Sequence, residues 1–320
     1  MTTILDASSG SVGTAVETGS TVIGGRYAVR EALGRGGAAT VYRGVDLKLD
    51  REVALKVFAT DDISGSDDEA RERRTREIGL LARANHPNLV TLFDADWDSG
   101  ATARTAAHGM ANVETRAGNG YIVMELVRGG TLRKRLDSCG PSPSLAPQLA
   151  VELGSALAYL HADGIIHRDL KPENILLAEG PSSGLTTKLV DFGIAQLLGD
   201  ERLTADRSIL GTAAYLAPEQ VAGEGAVPAS DVYALGLVLL ECLNGKRAYP
   251  GGTVEAAVAR MTQDPPLPDG LDPQWRDLLV AMTAREPASR PTAALVADIA
   301  AVLPHELLPE SVFLPYRAVA

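Results

Sequence analysis

The sequence predicts an α+β chain of two lobes, a small and mostly antiparallel sheet with one helix followed by a larger helical part. Three observations carry this. At 320 residues the chain is longer than a single domain commonly runs. Its front holds three short segments in which apolar and polar residues alternate. Beyond Gly129-Gly130 the apolar residues fall instead at helical spacing.

Taken in order, residues 1–23 are rich in Ser, Thr and Gly and have almost no apolar period, which predicts a disordered leader. Tyr27–Leu33, Ala39–Val45 and Glu52–Phe58 alternate and predict strands. Gly34 to Ala39 forms a flexible turn between the first two, with backbone N–H groups free to approach phosphates. In Arg71–Ala84, Ile78, Leu81 and Ala82 repeat at helical spacing, giving the helix behind the sheet. Leu89–Phe93 and Tyr121–Val127 read as further strands. Between them Asp94–Asn119, rich in Ala, Gly, Thr and Asp, reads as a disordered insertion.

Gly129-Gly130 is expected to break the strand Tyr121–Val127 and so to mark the hinge between the lobes. Thr131-Leu132 then caps a helix ending near Cys139-Gly140-Pro141. Leu149, Leu153, Ala156, Leu157 and Leu160 make one stripe along Ala146–His161. Apolar runs on both sides of His167–Asn174 read as buried strands, and Thr187–Val190 as another. Ser230 is expected to cap a helix reaching Cys242, apolar all round and therefore buried. Helical spacing returns in Thr253–Gln263, Pro273–Arg285 and Thr292–Val302. Residues 304–320 read as an unassigned tail.

Composition narrows the function classes. The chain carries 41 acidic and 30 basic residues, a net charge of −11, and no isolated basic block, so no nucleic-acid partner is expected. Arg71, Arg73, Arg74 and Arg76 are interleaved with Glu69, Glu72 and Glu77, the pattern of a solvated helix face. Two distant cysteines suit a reducing cytoplasm rather than a disulfide framework. The longest apolar stretch, Val232–Leu243, is too short and interrupted to span a bilayer.

The chemistry centres on Ile165-Ile166-His167-Arg168-Asp169-Leu170-Lys171-Pro172-Glu173-Asn174. Asp169 can accept a proton, Lys171 can steady a migrating anion, and the Asn174 amide oxygen can ligate a hard cation, as phosphoryl transfer requires. A plain polar turn would account for Pro172 and Asn174, but not for His-Arg-Asp together with Lys. This loop resembles the H-R-D-L-x-x-x-N catalytic loop of the protein kinase family at every fixed position. Other motifs of that family stand in the right order from residue 24 to about 303. The closest resemblance is to bacterial serine/threonine kinases of the eukaryotic type.

The resemblance implies a kinase domain over 24–303, with an N-lobe at 24–124, a hinge at 125–130 and a C-lobe at 131–303. ATP would lie in the cleft with Mg²⁺ or Mn²⁺. Gly34, Gly36 and Val41 match the glycine-rich loop, with Ala39 in place of its third glycine, and Leu33 lies beside them. Val41 and Ala54 would cover the adenine ring from above and Leu176 would line its site. Met124 would guard the back of the pocket, and Glu125 to Val127 would offer backbone groups to adenine.

Lys56, in Val53-Ala54-Leu55-Lys56, matches the phosphate-contacting lysine, and Glu77 the acid that holds it. Asp191, in Asp191-Phe192-Gly193, would hold the metal ion with Asn174. Glu219, in Ala217-Pro218-Glu219, would pair with Arg290, and Asp231 would hold the catalytic-loop backbone. Lys171, two residues after Asp169, goes in this family with Ser/Thr acceptors on protein substrates.

Arg168, beside Asp169, calls for an anion, which phosphorylation of the segment between Asp191 and Glu219 would supply. Thr212 matches a structural threonine and Tyr215 is expected to pack, leaving Thr204 and Ser208. Spacing before Gly211-Thr212 favours Thr204. The resemblance also implies autophosphorylation, with a homodimer as one route. Two other readings fit the residues less well. A pseudokinase scaffold would lack a catalytic group, yet Lys56, Glu77, Asp169, Asn174 and Asp191 are all present. A small-molecule phosphotransferase would lack the Gly211–Glu219 segment. Bacterial relatives often continue into a membrane helix, so a longer anchored protein stays open.

Overall fold

A computed structural model describes residues 21–36, 39–58, 79, 82–96, 120–179, 184–192, 214–305 and 307–308. Six strands form one antiparallel sheet: β1 (Val22–Ile23), β2 (Tyr27–Arg35), β3 (Ala39–Asp46), β4 (Arg51–Phe58), β5 (Leu92–Asp96) and β6 (Tyr121–Glu125), in the order β1-β2-β3-β4-β6-β5. The sheet begins at Val22, inside the stretch read as leader, because Val22 and Ile23 pair with Ala28 and Tyr27.

Alternation decides which side chains go where. Val53, Leu55 and Val57 of β4 join Tyr121 and Val123 in a small core on one face. Ala54 and Phe58, with Ile122 and Met124, join the main core on the other. That second face also carries Lys56, so the sheet's own periodicity aims it toward the helical lobe.

A three-stranded sheet follows, β7 (Gly129–Thr131), β8 (Ile175–Glu179) and β9 (Leu185–Leu189). Strand β6 ends at Glu125, ahead of Gly129-Gly130, and the two glycines open a new strand against β8. Gly129 has φ +140°, and a Cβ there would collide with the Leu177 carbonyl, so glycine is what lets the strands meet.

Seven helices are described: α1 (Leu132–Cys139), α2 (Ala146–Ala162), α3 (Pro218–Val221), α4 (Pro228–Asn244), α5 (Thr253–Thr262), α6 (Pro273–Met282) and α7 (Ala293–Val302). Helix α4 is buried continuously from Ser230 to Leu243 and is the axis of the lobe. Helix α7 crosses α2 at Gly154, where a Cβ would lie 3.1 Å from Ala297.

Several expectations need correction. Leu89–Phe93 is not the strand as read: Leu89 only bridges Leu189, and pairing with β6 starts at Leu92. Upstream of the polar loop, Ile165 and Ile166 are irregular; only the downstream side is a strand. Ser230 is not the cap of α4 but lies inside its first turn, where its Oγ accepts from the Val227 N–H at 3.0 Å. The tail's first residues pack: Trp275 Nε1 donates to the Pro304 carbonyl at 2.7 Å, and Leu307 and Leu308 are buried.

Candidate active site

The polar loop is hung from α4. Asp231 accepts from the backbone N–H of His167 and of Arg168, each at 2.9 Å, and from His161 Nε2 at 2.8 Å. Arg168 is thereby held at φ +69°, a conformation unfavourable for a side chain with a Cβ. His167 is fully buried; its Nε2 donates to the Val190 carbonyl at 3.0 Å and its Nδ1 accepts from the Asp169 N–H at 3.3 Å. Both ring nitrogens thus serve the loop's shape.

Asp169, Lys171 and Asn174 are brought together. Lys171 Nζ lies 2.9 and 2.7 Å from the two Asp169 carboxylate oxygens. Asn174 Nδ2 donates to the Asp169 carbonyl at 2.8 Å and to its carboxylate at 3.1 Å. A short 3₁₀ turn, Pro172–Asn174, creates this approach. The Val190 N–H donates to the Asn174 carbonyl at 3.0 Å, tying the loop to the end of β9.

Asp191 follows directly, at φ +63°. Lys56 Nζ reaches it from β4 at 2.8 Å. Burial pushes the Asp191 carboxyl up, but the Lys56 charge and hydrogen bond outweigh burial and hold it below the ordinary carboxylate value. Phe192 is buried beside Met124, Ile122, Leu92 and Val90, with a small cavity between them.

Above the loop, cross-strand register sets Val41 opposite Lys56 and Ala54 opposite Met124. Gly34 pairs with Val41 in the β2–β3 ladder, and beyond its end the Gly36 N–H donates to the Ala39 carbonyl at 2.8 Å. Leu33 is exposed, Met124 is buried, and Val127 and Leu176 are half-buried against the main core. The Glu125 N–H is already bonded to the Thr91 carbonyl at 2.9 Å.

Three features had no reading in the sequence. Lys188 Nζ pairs with Glu125 at 2.8 Å, so the end of β6 is clamped to β9. Tyr215 donates to Glu241, which also pairs with Arg133 at 2.5 Å. Gln220 Nε2 donates to the Arg168 carbonyl at 3.3 Å, joining the segment before α4 to the loop. By contrast the expected pairing of Glu219 with Arg290 is present and bidentate, at 2.8 Å on both arms. Glu77, Gly193, Thr204, Ser208 and Thr212 lie outside the described residues.

Comparison with known proteins follows this geometry. A family model described as "Protein kinase domain" matches residues 27–305. Serine/threonine-protein kinase PknL of Mycobacterium tuberculosis is 37% identical over 300 residues, covering 91% of this chain and 69% of that protein. PknA of the same organism is 36% identical over 271 residues, 84% of this chain and 58% of PknA. PrkC of Bacillus subtilis is 33% identical over 299 residues, 91% of this chain and 42% of PrkC.

Proposed function

Because the chain belongs to the protein kinase family, it is an ATP-dependent serine/threonine protein kinase, and we propose that Asp169, Lys171, Asn174, Asp191 and Lys56 carry the transfer. The observation that supports these roles is convergence: Lys171 and Asn174 both touch the Asp169 carboxylate, while Lys56 reaches Asp191 from the opposite sheet.

Asp169 accepts the proton of a serine or threonine hydroxyl as its oxygen bonds to the γ-phosphorus and the bond to the bridging oxygen breaks, releasing ADP. Lys171 places a positive charge where the migrating phosphoryl group gathers negative charge. Lys56 binds phosphate oxygens of ATP, with Glu77 as its further partner. Leu33, Val41, Ala54, Met124 and Leu176 enclose the adenine ring, and the Gly34–Gly36 turn covers the phosphates. The Glu125 carbonyl and Val127 orient the base, since the Glu125 N–H is already used.

The donor set suits a hard divalent ion. Asn174 spends its amide N–H₂ on Asp169 and keeps its carbonyl oxygen as an acceptor, and Asp191 has a second carboxylate oxygen beyond the one at Lys56. Among the described residues no group of three or more His, Cys, Asp or Glu gathers as a metal cage. Mg²⁺, or Mn²⁺, fits such a sparse oxygen set because phosphates and water complete its shell. When bound, that ion neutralises phosphate oxygens.

Autophosphorylation at Thr204, with Ser208 as the other acceptor, would pair a phosphate with Arg168, by way of a transient homodimer. No helix of the described residues is long and apolar enough to cross a membrane, and two free thiols accord with work in the cytoplasm. Transfer of labelled phosphate from ATP to protein, with Asp169→Asn as the comparison, tests this reading.

A further inference from the structure

Arg260 of α5 is buried completely. Its Nη1 donates to the Leu216 carbonyl at 2.6 Å and its Nε to the Ala256 carbonyl at 3.2 Å. Its guanidinium lies 5.5 Å from the centre of the Tyr249 ring. Nη2 finds no hydrogen-bond partner among the described residues. Burial pulls the pKa of this arginine below its ordinary value, opposed only by Tyr233 and Tyr249.

As a stabilising device this is a poor arrangement. A buried guanidinium with an unfilled donor and no carboxylate among the described residues carries a desolvation cost that an apolar side chain of similar length would avoid. What an apolar side chain cannot do is hold a main-chain carbonyl. The carbonyl held belongs to Leu216, which lines one small cleft with Arg168, Asp169 and Gln220. Three residues on, Arg290 holds the Glu219 carboxylate. Arg290 also stacks on Tyr233, at 4.9 Å, whose hydroxyl lies 3.4 Å from that of Tyr249. Two buried arginines thus grip the strip 216–219 from either side of a tyrosine pair.

We propose that Arg260 is a positioning residue for the protein acceptor: by holding the Leu216 carbonyl it fixes the half-buried Leu216 at the cleft it shares with Asp169, where the acceptor's hydroxyl must come. This rests on the kinase reading above. Arg260 touches neither nucleotide-binding residues nor Asp169, so its loss should act on the acceptor and not on ATP.

The test uses the full chain and its Arg260→Met and Arg260→Lys variants, with myelin basic protein as the acceptor probe. Thermal unfolding, KM for acceptor and for ATP, and acceptor-independent ATP hydrolysis are measured. Arg260→Met should melt at or above the wild-type temperature. Its acceptor KM should rise about tenfold, the effect of one lost charge-assisted hydrogen bond. Its ATP KM and ATP hydrolysis should stay within about twofold. Arg260→Lys, which keeps one N–H for the carbonyl, should restore acceptor KM to within about threefold of wild type.

An unchanged acceptor KM in a folded Arg260→Met chain overturns the proposal, as does an ATP KM that rises in step with it. If Arg260→Met does not fold, a folded Arg260→Gln chain takes its place: a raised acceptor KM with an unchanged ATP KM supports the proposal, and an unchanged acceptor KM overturns it. Absence of transfer by the wild type would instead remove the kinase reading, and is seen separately.

Discussion

Lys56 Nζ stands 2.8 Å from Asp191 Oδ1, an ion pair that reaches from the centre of the six-stranded sheet to a point two residues beyond β9. The Lys56 side chain is only 13% exposed and that of Asp191 28%, so the pair is largely withdrawn from solvent. Lys56→Met should lower phosphoryl transfer by about a hundredfold or more while the chain still folds. Turnover close to wild type in a folded variant would take Lys56 out of the site.

The same pair predicts a dependence on acid. The Asp191 carboxyl is held below its ordinary value, so its stabilising contribution is complete above about pH 4 to 5, the range of unfolded carboxylates. It is lost as the pH falls through the lowered folded value. In Lys56→Met that loss on acidification should vanish or change sign, because burial, which raises the carboxyl, remains while the Lys56 charge that held it down is gone. Denaturant midpoints across this range measure it; superimposable pH curves would contradict it.

Glu219 and Arg290 form the buried counterpart. Ser230 Oγ adds a third bond to Glu219 at 2.5 Å, and both charged side chains are at most 5% exposed. Burial raises the Glu219 carboxyl, and the bonds from Arg290 and Ser230 bring it below the usual range. Arg290→Met strands a buried carboxylate and should cost about 3–5 kcal/mol. Adding Glu219→Leu should recover part of that loss in equilibrium unfolding.

Asp231→Asn places an amide N–H₂ where the loop needs an acceptor for His167 and Arg168. It should lower kcat by about tenfold to a hundredfold, since the loop's strained backbone loses its anchor. Nucleotide affinity should change little. A kcat equal to that of wild type would show that the loop holds itself.

Thr204→Ala should be slower than wild type, and mass spectrometry of active protein should find phosphate on Thr204. Fully active enzyme with Thr204 unmodified would place control elsewhere.

The strands of the small sheet were legible because short runs of β-forming residues stand between turn residues; on β4 successive side chains then go to opposite cores, Val53, Leu55 and Val57 on one side, Ala54 and Phe58 on the other. The loop was legible because Asp169, Lys171 and Asn174 lie within six residues and meet through one tight turn. What escaped reading depends on distant partners. The Lys188–Glu125 clamp joins residues 63 apart. In α5 the usual rule is inverted, with Val254 74% and Val258 59% exposed while Arg260 is fully buried. Amphipathic patterning assumes the opposite. At Gly129-Gly130 the end of one strand was legible but not the start of the next, which depends on Gly129 lying against Leu177 of the distant β8.

The central claim is that Asp169 is the base for transfer to protein hydroxyls. Incubation of the chain with radiolabelled ATP, Mg²⁺ and acceptor protein, beside its Asp169→Asn form at equal concentration and equal melting temperature, tests it most directly. The account predicts strong labelling by the wild type and a loss of about a hundredfold or more in the variant; equal labelling by the two would contradict it.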